Sequence, residues 1–201
     1  MYDARGFLPM PPEATKRLFT TDEFRRMAEA GIFGEDDRVE LIGGEIIALT
    51  PIGPRHANCV RRLIALLSAR VGTSAIVDAQ NPVVLDDYSE PQPDVVLVQP
   101  RADFYASAHP GPKDVLLAIE VGHSSARADR EVKAPLYAEC GITELWLVDL
   151  DTDAVLVCRD PQPDGYAQVS RHERGQDLTV DALPGVQLRV EEVLGPSAKP
   201  A

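Results

Sequence analysis

The spacing of apolar residues predicts two helices in the first third of the chain. From Pro54 to Arg70, apolar residues recur at helical spacing, and Gly72 follows where such a helix would end. Upstream, "FTTDEF" predicts a helix of about ten residues, because Thr20 and Glu23 can form a capping box. Gly31 supplies its stop.

Short apolar runs between turn residues predict strands. "RVELIGGEIIAL" places Gly43 and Gly44 between two such runs, which is typical of a tight hairpin. Four further runs follow: "TSAIVD", "PVVLD", "DVVLV" and "VLLAIEV". Turn residues separate them, as does a polar loop from about 99 to 114, and together they predict a mostly antiparallel sheet.

The second half of the chain adds one helix and more strands. Ser124 or Ser125 can cap a helix that runs to about Glu139, with Gly141 as its stop and Pro135 inside it. "TELWLVDL" predicts a buried strand, and "AVLVCRD" and "YAQVSR" predict a hairpin across "PQPDG". A short strand near "VQLRV" and an acidic turn end the chain, so the order of elements predicts an α/β layer architecture.

Length and composition bound the domain organisation and the location. With 201 residues, we expect one domain over 19–195, a proline-rich flexible arm over 1–18 and a frayed tail over 196–201. The three cysteines form no C-x-x-C pair, which favours free thiols in a reducing cytoplasm. No apolar run reaches the roughly 18 residues of a membrane span. We therefore predict a cytoplasmic protein without a membrane anchor.

The formal net charge of −12 restricts the classes of partner. Such a surface repels a polyanion, so any binding of nucleic acid would be local and assisted by a metal ion. Arginines on the predicted helix after Pro54 could contact a nucleic-acid backbone. A solvated helix face is the alternative explanation of these charges.

Two acidic residues stand at the ends of consecutive predicted strands. If "PQPDVVLV" and "VLLAIEV" pair antiparallel, Asp94 at the start of the first lies beside Glu120 at the end of the second. Two close carboxylates repel each other unless a cation neutralises them. Mg²⁺ or Mn²⁺ is the expected ion, because such ions use one or two carboxylates plus waters, and the carbonyl of Val121 could add a third oxygen.

Lys133 is the candidate catalytic cation. It lies one or two turns into the helix that follows the Glu120 strand, so its ammonium could point back towards the metal and offset charge on a phosphodiester in the transition state. The alternative is a helix-surface ion pair with Asp129, four residues earlier.

The run "PDVVLV...LLAIEVGHSSARADREVKAPLYAECGITELWLVD" resembles the Uma-two family of endonucleases in the PD-(D/E)XK nuclease superfamily. "RVELIGGEI" and "LPGVQLRVEEVL" extend the resemblance from about Thr20 to Gly195. It implies a restriction-endonuclease-like core, in which a mixed central sheet is flanked by helices and hairpins are added at both ends. Pro93 and Asp94 then supply the "PD", and Glu120 the second acid.

The resemblance also implies where the lysine and further polar groups lie. The superfamily places its lysine two residues after the second acid, where this chain has Gly122, and Lys133 looks like its replacement on the next helix. Further polar residues that the family tends to place facing the site are Glu45, His56 and Gln80.

Our leading hypothesis is a Mg²⁺- or Mn²⁺-dependent endonuclease that hydrolyses phosphodiester bonds of DNA. The alternative is a catalytically inactive module with a nuclease fold that binds nucleic acid or has a structural role. A homodimer is compatible with either hypothesis.

Overall fold

The fold is built on a six-stranded sheet with the strand order β3–β4–β5–β6–β7–β8. The structure is a computed structural model that describes residues 15–34, 37–49, 51–122 and 127–196. The strands are β1 (Val39–Ile42), β2 (Glu45–Ala48), β3 (Ile76–Asp78), β4 (Val95–Val98), β5 (Val115–Gly122), β6 (Glu144–Asp149), β7 (Ala154–Gln162), β8 (Gly165–Glu173), β9 (Asp177–Val180) and β10 (Leu183–Arg189). The helices are α1 (Thr21–Glu29), α2 (Pro54–Val71), α3 (Arg127–Glu139) and α4 (Val190–Leu194). The sheet is mixed, because β5 and β6 are parallel and the other neighbours antiparallel.

Side chains alternate between two hydrophobic layers on the faces of this sheet. Leu117 and Ile119 of β5 pack in the layer that contains apolar residues of α2, α4 and β10. Ala118, between them, packs in the layer that contains Tyr137 of α3. Trp146 is fully buried, as the sequence predicts. No helix in the described part of the chain is long and apolar enough to cross a membrane.

Local signals in the sequence produce the first elements of the fold. Both hydrogen bonds of the Thr20–Glu23 capping box are present at the start of α1. Gly43 and Gly44 have φ values of 54° and 77°, which are the left-handed conformations that a two-residue hairpin turn requires. The predicted helix after Pro54 is α2, and Gly72 is its C-cap.

Two expectations from the sequence are wrong in detail, and one strand is absent from them. The run at 82–86 is not a strand of the sheet, because it folds back on itself: Leu85 donates to Ser89 and Val83 to Pro91 (both 2.9 Å). The acidic turn at the end is the helix α4. A strand that we did not predict, β9, pairs with β10. Ser124 and Ser125, the predicted helix caps, lie outside the described residues.

The β1–β2 hairpin is separate from the central sheet. It docks on the segment after β3, where Glu90 donates its amide to the carbonyl of Leu41 (2.8 Å) and Gly44 donates to Tyr88 (2.7 Å). The hairpin thereby approaches the rim of the sheet at which β4 begins and β5 ends.

Candidate functional site

Asp94 and Glu120 meet at one rim of the central sheet. In the antiparallel register Val95 lies opposite Ile119, so the next residues towards the rim are Asp94 and Glu120. Asp94 Oδ2 accepts a hydrogen bond from the amide of Val121 (2.9 Å). The amide and the carbonyl of one strand residue point to the same side of the strand. The carbonyl of Val121 therefore also points to the side of β5 on which Asp94 lies.

His56, in the first turn of α2, contacts the same carboxylate. Its Nε2 lies 2.9 Å from Asp94 Oδ2, and its Nδ1 is buried without a hydrogen-bond partner among the described residues. The hydrogen bond to Asp94 raises the pKa of His56, although burial opposes this. His56 therefore helps to set the orientation of the Asp94 carboxylate.

Gln80 approaches the other oxygen of Asp94. Its Nε2 lies 3.4 Å from Oδ1, a long contact. The backbone of Gln80 is in the left-handed conformation, with φ of 56°. The backbone amide of Gln80 donates to the carbonyl of Pro93 (3.0 Å). A non-glycine residue in that conformation is strained, and such strain is common at functional sites.

Lys133 of α3 reaches Glu120. Its Nζ lies 3.3 Å from Glu120 Oε1 and 3.0 Å from Glu40 Oε1. Lys133 is only 8% exposed, so it does not lie on the helix surface as the ion-pair alternative assumed. The side chain of Asp129, the partner in that alternative, lies outside the described residues. An ammonium thus stands beside the second acid even though Gly122 occupies the usual lysine position.

The structure adds two residues that the sequence analysis did not place at the site. The hydroxyl of Tyr137, one turn after Lys133, donates to Glu120 Oε1 (2.7 Å). Glu40 is 1% exposed and binds Lys133 from the β1–β2 hairpin. The four-residue spacing of Lys133 and Tyr137 is a signal that could have identified Tyr137. No local pattern could have identified Glu40, because its contact depends on how the hairpin docks.

Glu45 does not join this cluster. It directly follows the hairpin turn, is exposed, and pairs with Lys16 at 2.7 Å. The hairpin instead presents Glu40, which is opposite Ile47 in the β1–β2 register, to the site.

Three of the four arginines of α2 are held by other protein groups, and Arg61 is exposed. Arg55 pairs with Asp153, and Arg70 pairs with Glu192 of α4 (2.8 Å). Arg62 donates to the side chain of Asn58 (3.1 Å). The pairs of Arg55 and Arg70 tie α2 to the β6–β7 turn and to α4, so they account for much of the basic pattern seen in the sequence.

The charge of the cluster depends on the protonation of Glu120 and His56. The ammonium of Lys133 is bound by the carboxylates of Glu40 and Glu120, and the carboxylate of Asp94 lies beside His56. Burial raises the pKa of Glu120 to about 7, and the negative charges of Asp94 and Glu40 act in the same direction. Burial lowers the pKa of Lys133, but the carboxylates of Glu120 and Glu40 outweigh it, so the net shift is upwards. When Glu120 is ionised and His56 is neutral, three carboxylates face one ammonium, so the cluster then carries an excess of negative charge.

This donor set fits a hard divalent cation. Such an ion would neutralise the excess charge, and carboxylate and carbonyl oxygens are the ligands it prefers. In the described residues there is no group of three or more His, Cys, Asp or Glu side chains that could hold a metal. Two carboxylates completed by a backbone carbonyl and water form an open site, which is the usual arrangement for Mg²⁺.

The sheet and its flanking helices are similar in fold to a solved structure. A solved structure from Anabaena variabilis ATCC 29413, titled a "putative nuclease belonging to DUF820", is similar with a TM-score of 0.67. It is 17% identical, and the match covers 88% of this chain and 97% of that chain. The chain belongs to the Uma2 family, whose model is described as "Putative restriction endonuclease" and matches residues 21–191. A search of curated proteins gave no match. The family and the fold class expected from the sequence are therefore confirmed.

Proposed function

We propose that this protein is a Mg²⁺- or Mn²⁺-dependent endonuclease that hydrolyses phosphodiester bonds of DNA in the cytoplasm. The observation that carries the proposal is the position of Lys133, whose Nζ lies 3.3 Å from Glu120 Oε1. Glu120 in turn neighbours Asp94 across the β4–β5 pair. Two acids and a lysine thus stand together at one rim of a nuclease fold, although the lysine comes from a helix.

Asp94, Glu120 and the carbonyl of Val121 would hold the metal ion. When bound, the ion would supply an activated water and would neutralise charge on the scissile phosphate. The amide of Val121 and His56 both hold Asp94 Oδ2. They thereby keep the carboxylate in one orientation before the substrate arrives.

Lys133 acts as a fixed positive charge in this proposal. Its raised pKa keeps the side chain as an ammonium at neutral pH, so it is unsuited to accept a proton. An ammonium in a largely dry pocket stabilises the negative charge that develops on the phosphate oxygens. It can also donate a hydrogen bond that orients the attacking water.

Cleavage of supercoiled plasmid and of single-stranded DNA, with Mg²⁺ or Mn²⁺ and with EDTA, tests the proposal. We expect wild type to cut, and Asp94→Ala and Lys133→Ala to lose at least about a hundredfold in rate, as expected for removal of a main electrostatic group. Lys113→Ala is the control, because Lys113 is exposed and precedes β5 at the opposite end of the sheet. Light scattering on the same samples tests the predicted homodimer.

Absence of cleavage by wild type with both metals would contradict the proposal. The departure at Gly122 makes a nuclease-fold module that binds nucleic acid without cutting it the second candidate. DNA binding that persists in EDTA and is unchanged by Asp94→Ala would support that second function.

A further inference from the structure

Glu40 is a buried carboxylate of the cluster to which the proposed metal site gives no role. It lies on β1, outside the central sheet, and it is 1% exposed. Its two oxygens have different partners. Oε1 lies 3.0 Å from Lys133 Nζ, and Oε2 accepts from the backbone amide of Gln92 at 3.2 Å.

Glu40 is itself held in place by its neighbours. Gln92 donates its backbone amide to the Glu40 side chain and its side-chain amide to the carbonyl of Val39 (3.2 Å). The hairpin is further anchored by the hydrogen bond between the Glu90 amide and the Leu41 carbonyl (2.8 Å). The carboxylate is therefore presented to the pocket by backbone contacts rather than by a flexible surface loop.

Lys133 needs such a partner if its ammonium is to stay in one place. A lysine side chain has a flexible four-carbon stem and a charge without directional preference. With Glu120 as its only partner, the ammonium could bind either oxygen of that carboxylate and would have more than one position. A second carboxylate on a different element restricts the ammonium to the space between the two.

We infer that Glu40 is the positioning residue of Lys133: it holds the ammonium from the hairpin side, at a fixed place beside Glu120. The catalytic consequence rests on the proposed nuclease function. The positioning itself does not, because it follows from the Glu40–Lys133–Glu120 contacts. Glu40 binds the ammonium and is not assigned to the metal, so Glu40→Asp, which keeps the negative charge, should spare metal affinity.

Glu40→Gln tests this inference, with Glu144→Gln as the matched control. Glu144 is also a fully buried carboxylate in an ion pair, with Arg159 at 2.7 Å, but it begins β6 at the end of the sheet far from Gly122 and Asp149. We expect Glu40→Gln to lower kcat by about 10- to 100-fold, the usual loss for a supporting partner. KM should stay within about twofold, because it does not depend on Lys133 being fixed. A fall in Mn²⁺ affinity in Glu40→Gln would reflect the lost charge and should be absent in Glu40→Asp.

Glu40→Asp keeps the charge and should recover part of the lost kcat. It also serves as the test variant if Glu40→Gln does not fold. Glu144→Gln should lower the stability without lowering kcat in the folded protein.

The side-chain ammonium signal of Lys133 in ¹H–¹⁵N NMR provides a readout that does not require activity. The sequence has four lysines, so Lys133→Arg suffices to assign the signal. We expect a held, slowly exchanging ammonium in wild type and in Glu144→Gln, and a shifted or broadened signal in Glu40→Gln. If wild type does not cleave DNA, the nuclease proposal fails, and this signal still decides the inference. An unchanged signal in Glu40→Gln, or a kcat no lower than that of Glu144→Gln, overturns it.

Discussion

At the scale of single residues, the buried charged groups of the cluster at the rim lower the stability of the fold. Glu40, Asp94 and Lys133 are each less than 9% exposed, and charged groups are rarely buried to this degree unless paired. Replacing such groups with apolar residues often stabilises a protein, so burial of charge is weak evidence for a purely structural role. The concentration of these residues at one rim favours chemistry as the reason for keeping them.

Tyr137→Phe should weaken the site through Glu120. The Tyr137 hydroxyl donates to Glu120 Oε1 at 2.7 Å, and a hydrogen bond to a charged group contributes about 1.5 to 3 kcal/mol. We expect that loss in the free energy of urea unfolding, and a kcat about tenfold lower in plasmid cleavage.

Tyr166→Phe is the control for this change. The Tyr166 hydroxyl donates to the carbonyl of Ile142 (2.8 Å), which precedes β6 and lies away from the acids. This variant should lose stability while keeping kcat. An equal fall in kcat for both tyrosine variants would show that general loosening of the layer between α3 and the sheet explains the effect.

At the scale of elements, several packed units assemble the site, and three of them surround Lys133. The β4–β5 pair supplies Asp94 and Glu120, and α3, which connects the parallel strands β5 and β6, supplies Lys133 and Tyr137. The β1–β2 hairpin adds Glu40 from outside the sheet. The accuracy of the site therefore depends on how the hairpin docks.

Gly44→Ala should disturb that docking more than Gly43→Ala does. Both glycines have left-handed backbones, so either alanine costs about 1 to 2 kcal/mol. A Cβ at Gly44 would also lie 2.6 Å from Leu18 Cβ, whereas one at Gly43 would meet nothing within 4 Å. We expect Gly44→Ala to lose about 1 to 3 kcal/mol more in urea unfolding, the usual cost of overpacking. Equal losses for the two variants would contradict the close contact between Leu18 and the hairpin turn.

At the scale of the whole molecule, the negative charge of the pocket is part of a general excess. The formal net charge is −12, and this total includes the carboxylates of Glu40, Asp94 and Glu120, which face the ammonium of Lys133 and, when it is protonated, the imidazole of His56. Binding of a cation to the folded protein should therefore relieve repulsion and stabilise the whole domain.

Mn²⁺ should raise the unfolding temperature of wild type. Ligand at about one hundred times its Kd stabilises a protein by about 2.7 kcal/mol, if the unfolded chain does not bind it. Asp94→Asn should lose this shift in calorimetry because it removes a proposed ligand. Glu144→Gln should retain it, and a shift that persists in Asp94→Asn would place the bound ion elsewhere.

The amino-acid sequence by itself determined those features that depend on neighbouring residues. The capping box at Thr20, the glycine pair at 43 and 44 and the helical spacing after Pro54 act within a few residues, so the elements they predict are present. The proximity of Asp94 and Glu120 was also predictable, because consecutive antiparallel strands bring the start of one to the end of the next.

Only the tertiary structure decided which distant residues complete the cluster. Glu40 rather than Glu45 reaches the pocket because the hairpin docks through residues 88 and 90, a contact with no local signal. The run at 82–86 has the composition of a strand, yet it is not part of the central sheet. The backbone amides of Val83 and Leu85 donate instead to Pro91 and Ser89, in the segment that follows. Lys133 lies beside Glu120 because α3 packs on the sheet face that also carries Ala118, two residues before Glu120 on β5. Such contacts join segments far apart in sequence, so packing, rather than local propensity, selects them.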